Sequence, residues 1–353
     1  MKLYSGYQII SYRKHNDLCL WARRAIVGQI EIQESYKRGT IMRAFVFPGQ
    51  GAQTIGMGKG LADAYPAAKA VFDEVDEALG QDLSGLIWGG DIADLTLTEN
   101  AQPALMATSL AAMAALNAEG VVITAASFVA GHSLGEYSAL CAAGSLTLAD
   151  TARLLRIRGR AMQAAVPVGV GAMAALLGLD FATAQEVAAE AAQGEICQAA
   201  NDNDPGQVVV SGHKAAVERA CEIAKGRGAK RAVILPVSAP FHCALMQPAA
   251  DAMAAALADV NIFAPSVPVV ANVLASANND ADVIADLLVQ QVTGSVRWRE
   301  SVSDMSDTGV TEIYEIGAGK ALSGMVRRID RAIACKAVNS PEDVAAVVAE
   351  LRG

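Results

Sequence analysis

The chain has 353 residues, enough for one large or two ordinary domains with a substantial core. Its hydrophobic content of 53% includes no apolar run of about 18 residues, so no membrane span is indicated. The formal net charge of -9 argues against a general nucleic-acid-binding protein. The six scattered cysteines show neither paired metal-ligand spacing nor a disulfide-dense segment, so we expect a cytoplasmic protein without a metal site.

The first 41 residues differ in composition from the rest of the chain. They hold four of the seven tyrosines, and seven Lys or Arg residues against three acids. They contain no apolar segment of the kind found in a secretory signal. Met42 directly precedes the strand-like RAFVF. We therefore expect residues 1–41 to be a non-native or poorly ordered leader from an upstream start, with a functional extension as the alternative.

From Met42 onward, β-branched runs alternate with long helical stretches, a pattern typical of an α/β domain with a mainly parallel sheet. AFVFPGQG predicts a strand that enters a glycine-rich loop, and SFVAGHS predicts a second strand. A helix is predicted over 147–165, because Thr147 and Asp150 form a capping-box-like start. VPVVANV and EIYEIG predict two further strands nearer the C-terminus.

Residues 171–236 predict a unit of their own. Strand and helix patterns follow one another there in the order β-α-β-β-α-β, which is the ferredoxin-like arrangement. We therefore expect a ferredoxin-like subdomain over 169–237, inserted into a large α/β domain formed by 42–168 and 238–353. Such insertions commonly place a cleft at the junction of the two parts.

The segment FVAGHSLGEYSALCAAG predicts a sharp turn between a strand and a helix, with Ser133 at its apex. A glycine on each side of this serine gives the pattern G-x-S-x-G, which holds a serine hydroxyl exposed at a helix N-terminus. A nucleophilic Ser133 is favoured over a structural turn serine. A free serine is a weak nucleophile, so it requires a neighbouring base.

Histidine is the most suitable base at neutral pH, and the chain has four. His15 lies in the leader, His132 is adjacent to Ser133 on a tight turn, and His213 lies within the predicted insert. By elimination, His242 is the favoured base. The alternative is that His242 is an ordinary loop histidine. No carboxylate between Ser133 and His242 is an evident orienting acid, so either an inconspicuous acid or a backbone carbonyl is expected to hold the imidazole.

Arg158 indicates the kind of substrate. At about 100° per residue, Arg153, Arg156 and Arg160 share one face of the predicted helix, which we interpret as solvated and basic. Arg158 falls about 140° away from Arg153 among apolar residues. Because an unpaired buried charge is costly, Arg158 requires an anion. That anion is either an internal Asp or Glu or a substrate carboxylate held bidentately.

Two glycine-rich stretches fail nucleotide-binding fingerprints. FPGQGAQTIGMG gives G-x-G-x-x-x-x-G, and GAGKAL lacks the first glycine of a phosphate loop. We interpret the first as a loop that directs a backbone N–H toward a developing oxyanion. The second is expected to be a turn between a strand and a helix.

Taken together, these segments resemble the malonyl-CoA:acyl-carrier-protein transacylase family of fatty acid synthesis. The resemblance runs from Arg43 to about Val338. The segments that carry it are FVFPGQGAQTIGMG, ENAQPAL, GHSLGEYSAL, RGRAMQ, GAMAALLGL, NDNDPGQVVVSG, PVSAPFHCALMQPAA, LLVQQVTGSVRW and YEIGAGKALSGMV. It implies a hydrolase-like, doubly wound α/β domain with a mainly parallel sheet and an inserted ferredoxin-like subdomain, in agreement with the division above.

The resemblance also assigns roles to individual residues. Ser133 matches the acylated serine, His242 the catalytic histidine and Arg158 the arginine that binds the malonyl carboxylate. The remaining matches are the histidine-orienting main-chain carbonyl of Gln291 and the oxyanion-hole N–H groups of Gln50 and Leu134.

The family implies malonyl-CoA and acyl carrier protein as partners and a malonyl-serine intermediate. CoA enters as a thioester substrate, the phosphopantetheine belongs to the carrier, and no further cofactor is expected. A monomer is expected as well. In related polyketide acyltransferases a Phe at the position of Phe241 accompanies malonyl rather than methylmalonyl, although simple bacterial members often carry Ser there.

Three basic stretches are candidate docking sites for an acidic carrier protein: Lys225 to Arg231, the pair Arg297 and Arg299, and the pair Arg327 and Arg328. Each is also compatible with an ordinary solvated face. Two alternative activities remain, a serine hydrolase or thioesterase with the same turn, and the malonyl transferase component of a malonate decarboxylase. An inactive interaction module is disfavoured by Ser133, His242 and Arg158 occurring together.

Overall fold

The computed structural model describes residues 41–352. The prediction for the leader, residues 1–41, falls outside them except for Ile41. No helix within the described range combines the length and the apolarity needed to cross a bilayer.

Within residues 41–352, ten strands form two sheets. The strands are β1 (Met42–Phe47), β2 (Phe128–Gly131), β3 (Gly171–Leu177), β4 (Cys197–Asp204), β5 (Gln207–His213), β6 (Arg231–Ile234), β7 (Val269–Ala271), β8 (Ser276–Asn278), β9 (Val310–Ile316) and β10 (Ala334–Val338). The large sheet has the order β10-β9-β1-β2-β7-β8, in which β10 pairs with β9, β1 with β2 and β2 with β7 in parallel. Its edge pair, β7 with β8, is antiparallel.

Fourteen α-helices lie among the described residues. They are α1 (Lys59–Ala64), α2 (Pro66–Leu79), α3 (Leu83–Gly89), α4 (Ile92–Thr96), α5 (Thr98–Ala118), α6 (Leu134–Ala142), α7 (Leu148–Ala164), α8 (Phe181–Ala192), α9 (Lys214–Gly226), α10 (Gln247–Ala258), α11 (Ala281–Thr293), α12 (Trp298–Asp307), α13 (Ala321–Ile329) and α14 (Pro341–Arg352). Short 3-10 turns occur at Ile123–Ala125 and Ala244–Met246.

The second sheet is antiparallel, with the order β4-β5-β3-β6. With α8 between β3 and β4 and α9 between β5 and β6, it has the predicted β-α-β-β-α-β order. The mixed α/β fold class is therefore confirmed. Strand β4 extends to Asp204, so only Pro205 and Gly206 of the predicted turn DNDPG lie between the two strands. The proposed domain boundaries remain an interpretation.

The small sheet has two different apolar faces, because successive side chains of a strand point to opposite sides. In β3, Ala172, Ala174 and Leu176 belong to a separate core with α8 and α9. Met173 and Ala175, the residues between them, belong to the main hydrophobic core of the chain. One face of the small sheet is therefore covered by its own helices, and the other forms part of the main core.

Helix α7 begins as predicted, with the Thr147 hydroxyl accepting from the Asp150 N–H at 3.1 Å. Gly159 allows α7 to approach α5, since a Cβ there would lie 2.5 Å from the Glu99 Cα. The prediction of a wholly solvated basic face is wrong for Arg156, which is buried. Its guanidinium donates at 2.6 Å to each of Asn100 and Gln81, because this face of α7 is covered rather than open.

Candidate active site

Ser133 lies at the apex of the turn between β2 and α6, in the left-handed region at φ 54°. Gly131 and Gly135, each two residues from Ser133, are both required by close backbone contacts. A Cβ at Gly131 would lie 1.9 Å from the Gly135 carbonyl carbon, and a Cβ at Gly135 would lie 2.2 Å from the Phe47 carbonyl oxygen. The G-x-S-x-G pattern therefore reflects a turn packed tightly against the end of β1.

His242 is the histidine that contacts this serine. Its Nε2 lies 2.8 Å from the Ser133 Oγ, and its Nδ1 lies 2.9 Å from the carbonyl oxygen of Gln291. Because a carbonyl only accepts, Nδ1 carries the proton and Nε2 accepts from the serine hydroxyl. Burial, and then the charge of Arg158, lowers the pKa of His242 to about 3, so the imidazole is neutral at neutral pH. No acid is needed to orient it.

Arg158 is 1% exposed and reaches the Ser133 hydroxyl directly. Its Nη2 donates to the Ser133 Oγ at 3.1 Å and to the Gln291 Oε1 at 2.9 Å. Its Nη1 donates to the Gln102 Oε1 at 2.7 Å. All three acceptors are neutral, and the Arg158 Nε has no acceptor among residues 41–352. Burial lowers the pKa of Arg158, yet guanidinium stays charged in proteins, so a cation lies behind the Ser133 hydroxyl.

Three polar residues of the site were missed by the sequence analysis: Gln102, Asn272 and Glu136. The side chain of Asn272 accepts from the Ser133 N–H at 2.8 Å and donates to the Gly131 carbonyl at 2.6 Å. Glu136 is 2% exposed and accepts from the Asn272 N–H and the Gln291 Nε2. A weak signal existed for Asn272, which lies near the C-terminal end of the predicted strand VPVVANV and so at the carboxyl edge of the sheet.

The glycine loop after β1 lies against the serine turn. A Cβ at Gly49 would be 2.6 Å from the His132 carbonyl oxygen, so only glycine fits there without displacement. In the part of the chain that the structure describes, the backbone N–H groups of Gln50 and Leu134 have no protein acceptor. The Gln50 side chain is held by Thr98, whose hydroxyl donates to Oε1 at 2.9 Å. Two free donors therefore flank Ser133, as an oxyanion site requires.

A cavity of about 530 Å³ opens in front of the serine. Ser133, His242, Gln50, Leu134 and Phe241 all line it. The opposite wall comes from the small sheet and includes Met173, Ala175, Asn201, Asn203 and Val209. The site thus lies between the two sheets, as expected for a cleft beside an inserted unit. Arg158 and Gln291 do not line this cavity and lie behind Ser133.

The other histidines have different partners. The Nε2 of His132 lies 2.8 Å from the Asn203 Oδ1, so its ring diverges from the serine hydroxyl as expected. The Nδ1 of His213 accepts from the Ile196 N–H at 2.9 Å within the small sheet. His15 lies outside the described residues. Over residues 41–352 there is no group of three or more His, Cys, Asp or Glu residues placed to hold a metal ion.

Many of the basic candidates for carrier docking are engaged in ion pairs. Arg299 pairs with Asp202 at 2.8 Å and Arg328 with Asp204 at 2.7 Å, and Arg297 pairs with Glu300. Lys225 and Arg227 in the first stretch also contact acids of their own helix or of α8. These charges are partly neutralised within the chain.

A hydroxyl, a neutral imidazole and two free N–H groups meet at one cavity, and a buried guanidinium contacts the hydroxyl from behind. The first three are the components of acyl transfer through an acyl-serine. The fourth favours an acyl group that carries an anion.

A family model described as acyl transferase domain matches residues 44–347. The chain belongs to this family. A curated family member, the malonyl CoA-acyl carrier protein transacylase of Escherichia coli K12, is 48% identical over 305 residues, which cover 86% of this chain and 98% of that protein.

Solved structures of family members are also similar to this chain in sequence and in fold. The acyl-carrier-protein-S-malonyltransferase of Bartonella henselae is 55% identical with a TM-score of 0.87, covering 89% of this chain and 100% of that one. A malonyl-transacylase solved in complex with a type II PKS acyl-carrier protein is 43% identical with a TM-score of 0.85, covering 88% of this chain and 99% of that one. The acyl transferase family thus accounts for nearly all of the described residues.

Proposed function

We propose that this chain transfers the malonyl group from malonyl-CoA to the phosphopantetheine thiol of acyl carrier protein, through a malonyl ester on Ser133, in fatty acid biosynthesis. The observation that carries the proposal is the position of the Ser133 Oγ, 2.8 Å from the His242 Nε2 and 3.1 Å from the Arg158 Nη2. The nucleophile is thereby coupled to a base and to a cation at once. The names of the relatives support the same substrates.

In the first half-reaction, His242 takes the Ser133 hydroxyl proton while the serine oxygen attacks the thioester carbonyl. Negative charge then develops on the oxygen of the thioester carbonyl. The N–H groups of Gln50 and Leu134 stabilise this charge, a contribution of about 3 kcal/mol per donor in comparable sites. As the C–S bond breaks, the proton on His242 passes to the departing CoA sulfur. The second half-reaction reverses these steps, with the carrier's thiol as nucleophile.

Arg158 binds the malonyl carboxylate in this proposal. The three oxygens that accept from Arg158 in the structure are neutral. An ionised carboxylate is a stronger hydrogen-bond acceptor for guanidinium than these oxygens. An esterase of neutral acyl groups gains nothing from a guanidinium buried beside its serine. The Gln291 carbonyl holds His242 in the reactive tautomer throughout. Phe241, 9% exposed, limits the space available to an α-methyl group.

The remaining parts of the proposal rest on the sequence. CoA is a substrate, the phosphopantetheine arrives on the carrier, and neither a metal nor a further cofactor takes part. We further propose that the protein acts as a cytoplasmic monomer, without nucleic-acid or membrane partners.

Intact mass after mixing with malonyl-CoA tests the activity. We expect a malonyl adduct on the wild-type chain, none on Ser133→Ala, and loss of the adduct when holo acyl carrier protein is added. Free malonate without an adduct would indicate the alternative serine hydrolase or thioesterase. An adduct that resists acyl carrier protein would favour the transferase component of a malonate decarboxylase.

A further inference from the structure

Glu136 is a buried carboxylate that takes no direct part in the transfer. It lies in the first turn of α6, three residues after the nucleophile, and is 2% exposed. It does not line the active-site cavity. A single oxygen, Oε2, accepts from the Gln291 Nε2 at 2.7 Å and from the Asn272 N–H at 3.0 Å. Both donors are neutral amides, so neither compensates the charge of the carboxylate.

The contact with Gln291 fixes the orientation of that amide. Its Nε2 donates to two acceptors, the Glu136 carboxylate and the Ser133 carbonyl at 3.0 Å. The other end, Oε1, must therefore face Arg158, from which it accepts at 2.9 Å. A reversed amide would place an NH2 group against the guanidinium and an oxygen against two acceptors. Glu136 thus helps to set the position of Arg158 through one intervening side chain.

The contact with Asn272 acts on the nucleophile. Glu136 binds the backbone N–H of Asn272, and the side chain of Asn272 binds the Ser133 N–H and the Gly131 carbonyl. Ser133 has a positive φ, a conformation that a non-glycine residue keeps only when its surroundings determine it. Asn272 provides one of those restraints.

We propose that Glu136 is a positioning residue, whose carboxylate holds Gln291 and Asn272 so that Arg158 and Ser133 keep the geometry required by an anionic acyl group. This inference rests on the proposed malonyl transfer. Burial raises the pKa of Glu136 to about 7, in keeping with an environment that tolerates the acceptor oxygen better than the charge. The hydrogen-bond acceptor, rather than the charge, is the feature that the two amides require.

Three substitutions separate these properties. Glu136→Gln keeps an acceptor oxygen at the position of Oε2 and removes the charge. Glu136→Leu has similar volume and no acceptor. Glu136→Asp keeps the charge but withdraws the acceptor by one methylene, which covers the case in which the Leu variant does not fold. Asp76→Asn serves as the matched control, since Asp76 also accepts two hydrogen bonds, from Ser84, away from the site.

The measurement is the single-turnover rate of Ser133 acylation by malonyl-CoA and by acetyl-CoA, followed by intact mass, with thermal melts as a check on folding. We expect Glu136→Leu and Glu136→Asp to lower the malonyl rate about 100-fold, the size of effect that a small misplacement produces. The acetyl rate should fall about tenfold less, since only malonyl has a carboxylate that binds Arg158. Glu136→Gln should stay within about threefold of wild type for both substrates.

Three outcomes would overturn the role of Glu136: a wild-type malonyl rate in the Leu and Asp variants, equal losses for both acyl groups, or a Gln variant as impaired as Leu. A wild-type chain that acquires no malonyl adduct would instead refute the proposed function itself. The two failures are therefore distinguishable.

Discussion

The Arg158 Nη2 donates a hydrogen bond to the Ser133 Oγ at 3.1 Å, so the buried cation of this chain touches the proposed nucleophile. The serine oxygen accepts from the guanidinium while its proton is directed to the His242 Nε2. A substrate that acylates Ser133 must therefore place its acyl group beside a positive charge. In the proposed function, one side chain therefore serves both substrate choice and the orientation of the Ser133 hydroxyl.

Replacement of Arg158 by Ala is expected to reverse the substrate preference. Malonyl-CoA should lose at least about 30-fold in acylation rate, since a buried charge pair that loses one partner costs about 2–5 kcal/mol. Acetyl-CoA, which has no carboxylate, should lose far less. Arg158→Lys keeps a charge without the planar fork and should fall between the two. An unchanged ratio of malonyl to acetyl acylation rates in the Ala variant would contradict the role of Arg158 in binding the malonyl carboxylate.

Gly135→Ala is expected to destabilise the fold by about 3 kcal/mol or more, because the new methyl group meets the Phe47 carbonyl oxygen at 2.2 Å. Gly89 provides the control, since a Cβ there has no heavy atom within 4 Å. Gly89→Ala should be neutral or stabilising by about 0.5–1 kcal/mol. Urea unfolding of both variants measures the difference, and equal stabilities would show that the turn can relax around a side chain.

The pKa of His242 predicts an acid-sensitive contribution to stability. Its folded pKa of about 3 lies below the ordinary value of 6.5, so the contribution is present above pH 6.5 and is lost as pH falls toward 3. The loss is on the order of a few kcal/mol. The difference in unfolding free energy between wild type and His242→Gln, measured at pH 7 and pH 4, should therefore move against wild type at the lower pH. A constant difference would contradict a buried neutral imidazole.

Glu136 predicts the opposite trend. Its folded pKa of about 7 lies above the ordinary value of 4.5, because burial disfavours the charged form despite the hydrogen bonds from Asn272 and Gln291 and the nearby charge of Arg158. Its contribution is complete below pH 4.5 and is lost as pH rises through 7, again by a few kcal/mol. Glu136→Gln cannot ionise, so its stability relative to wild type should rise between pH 5 and pH 8. Parallel pH profiles for the two proteins would show that the carboxylate does not titrate in this range.

Carrier docking can be tested at the rim of the cavity. Lys320 and Arg327 are exposed at opposite ends of α13, whose Ala321, Leu322 and Met325 line the cavity. Neither side chain takes part in an ion pair within residues 41–352, unlike Arg328. The double change to Glu should slow transfer to acyl carrier protein about tenfold, most strongly at low salt, and leave acylation by malonyl-CoA intact.

The double change Lys59→Glu and Lys69→Glu, on α1 and α2, controls for the same change in net charge, since neither residue lines the cavity. If acylation by malonyl-CoA and transfer to the carrier decline together in the double variant of Lys320 and Arg327, the effect is not one of docking.

The sequence predicted the features that depend on local pattern. The glycines around Ser133 and the apolar arc around Arg158 both follow from neighbours within one or two helical turns, and both appear in the structure. The strand and helix order of the small sheet followed for the same reason. Elimination among four histidines was sufficient to place His242 beside the serine.

Contacts between distant parts of the chain could not be predicted. Asn272 reaches Ser133 across 139 residues, and Arg156 is covered by residues of α5 and of the segment before α3. A helical projection shows which residues share a face but not which neighbour covers that face. The amide of Gln102 was equally hidden, since a glutamine in an alanine-rich helix has no distinctive local signal.

The parallel alignment of three adjacent strands has a consequence for the chemistry. The loop that bears Gln50 leaves β1, Ser133 leaves β2 and Asn272 leaves β7, with Val129 opposite Val269 and Ala130 opposite Val270. A slip of β7 by a single residue would replace the Asn272 amide by a hydrocarbon neighbour and turn the amide to the other face of the sheet. Pairing of the strands in the correct register thus positions Ser133 and the groups around it during folding, before any substrate binds.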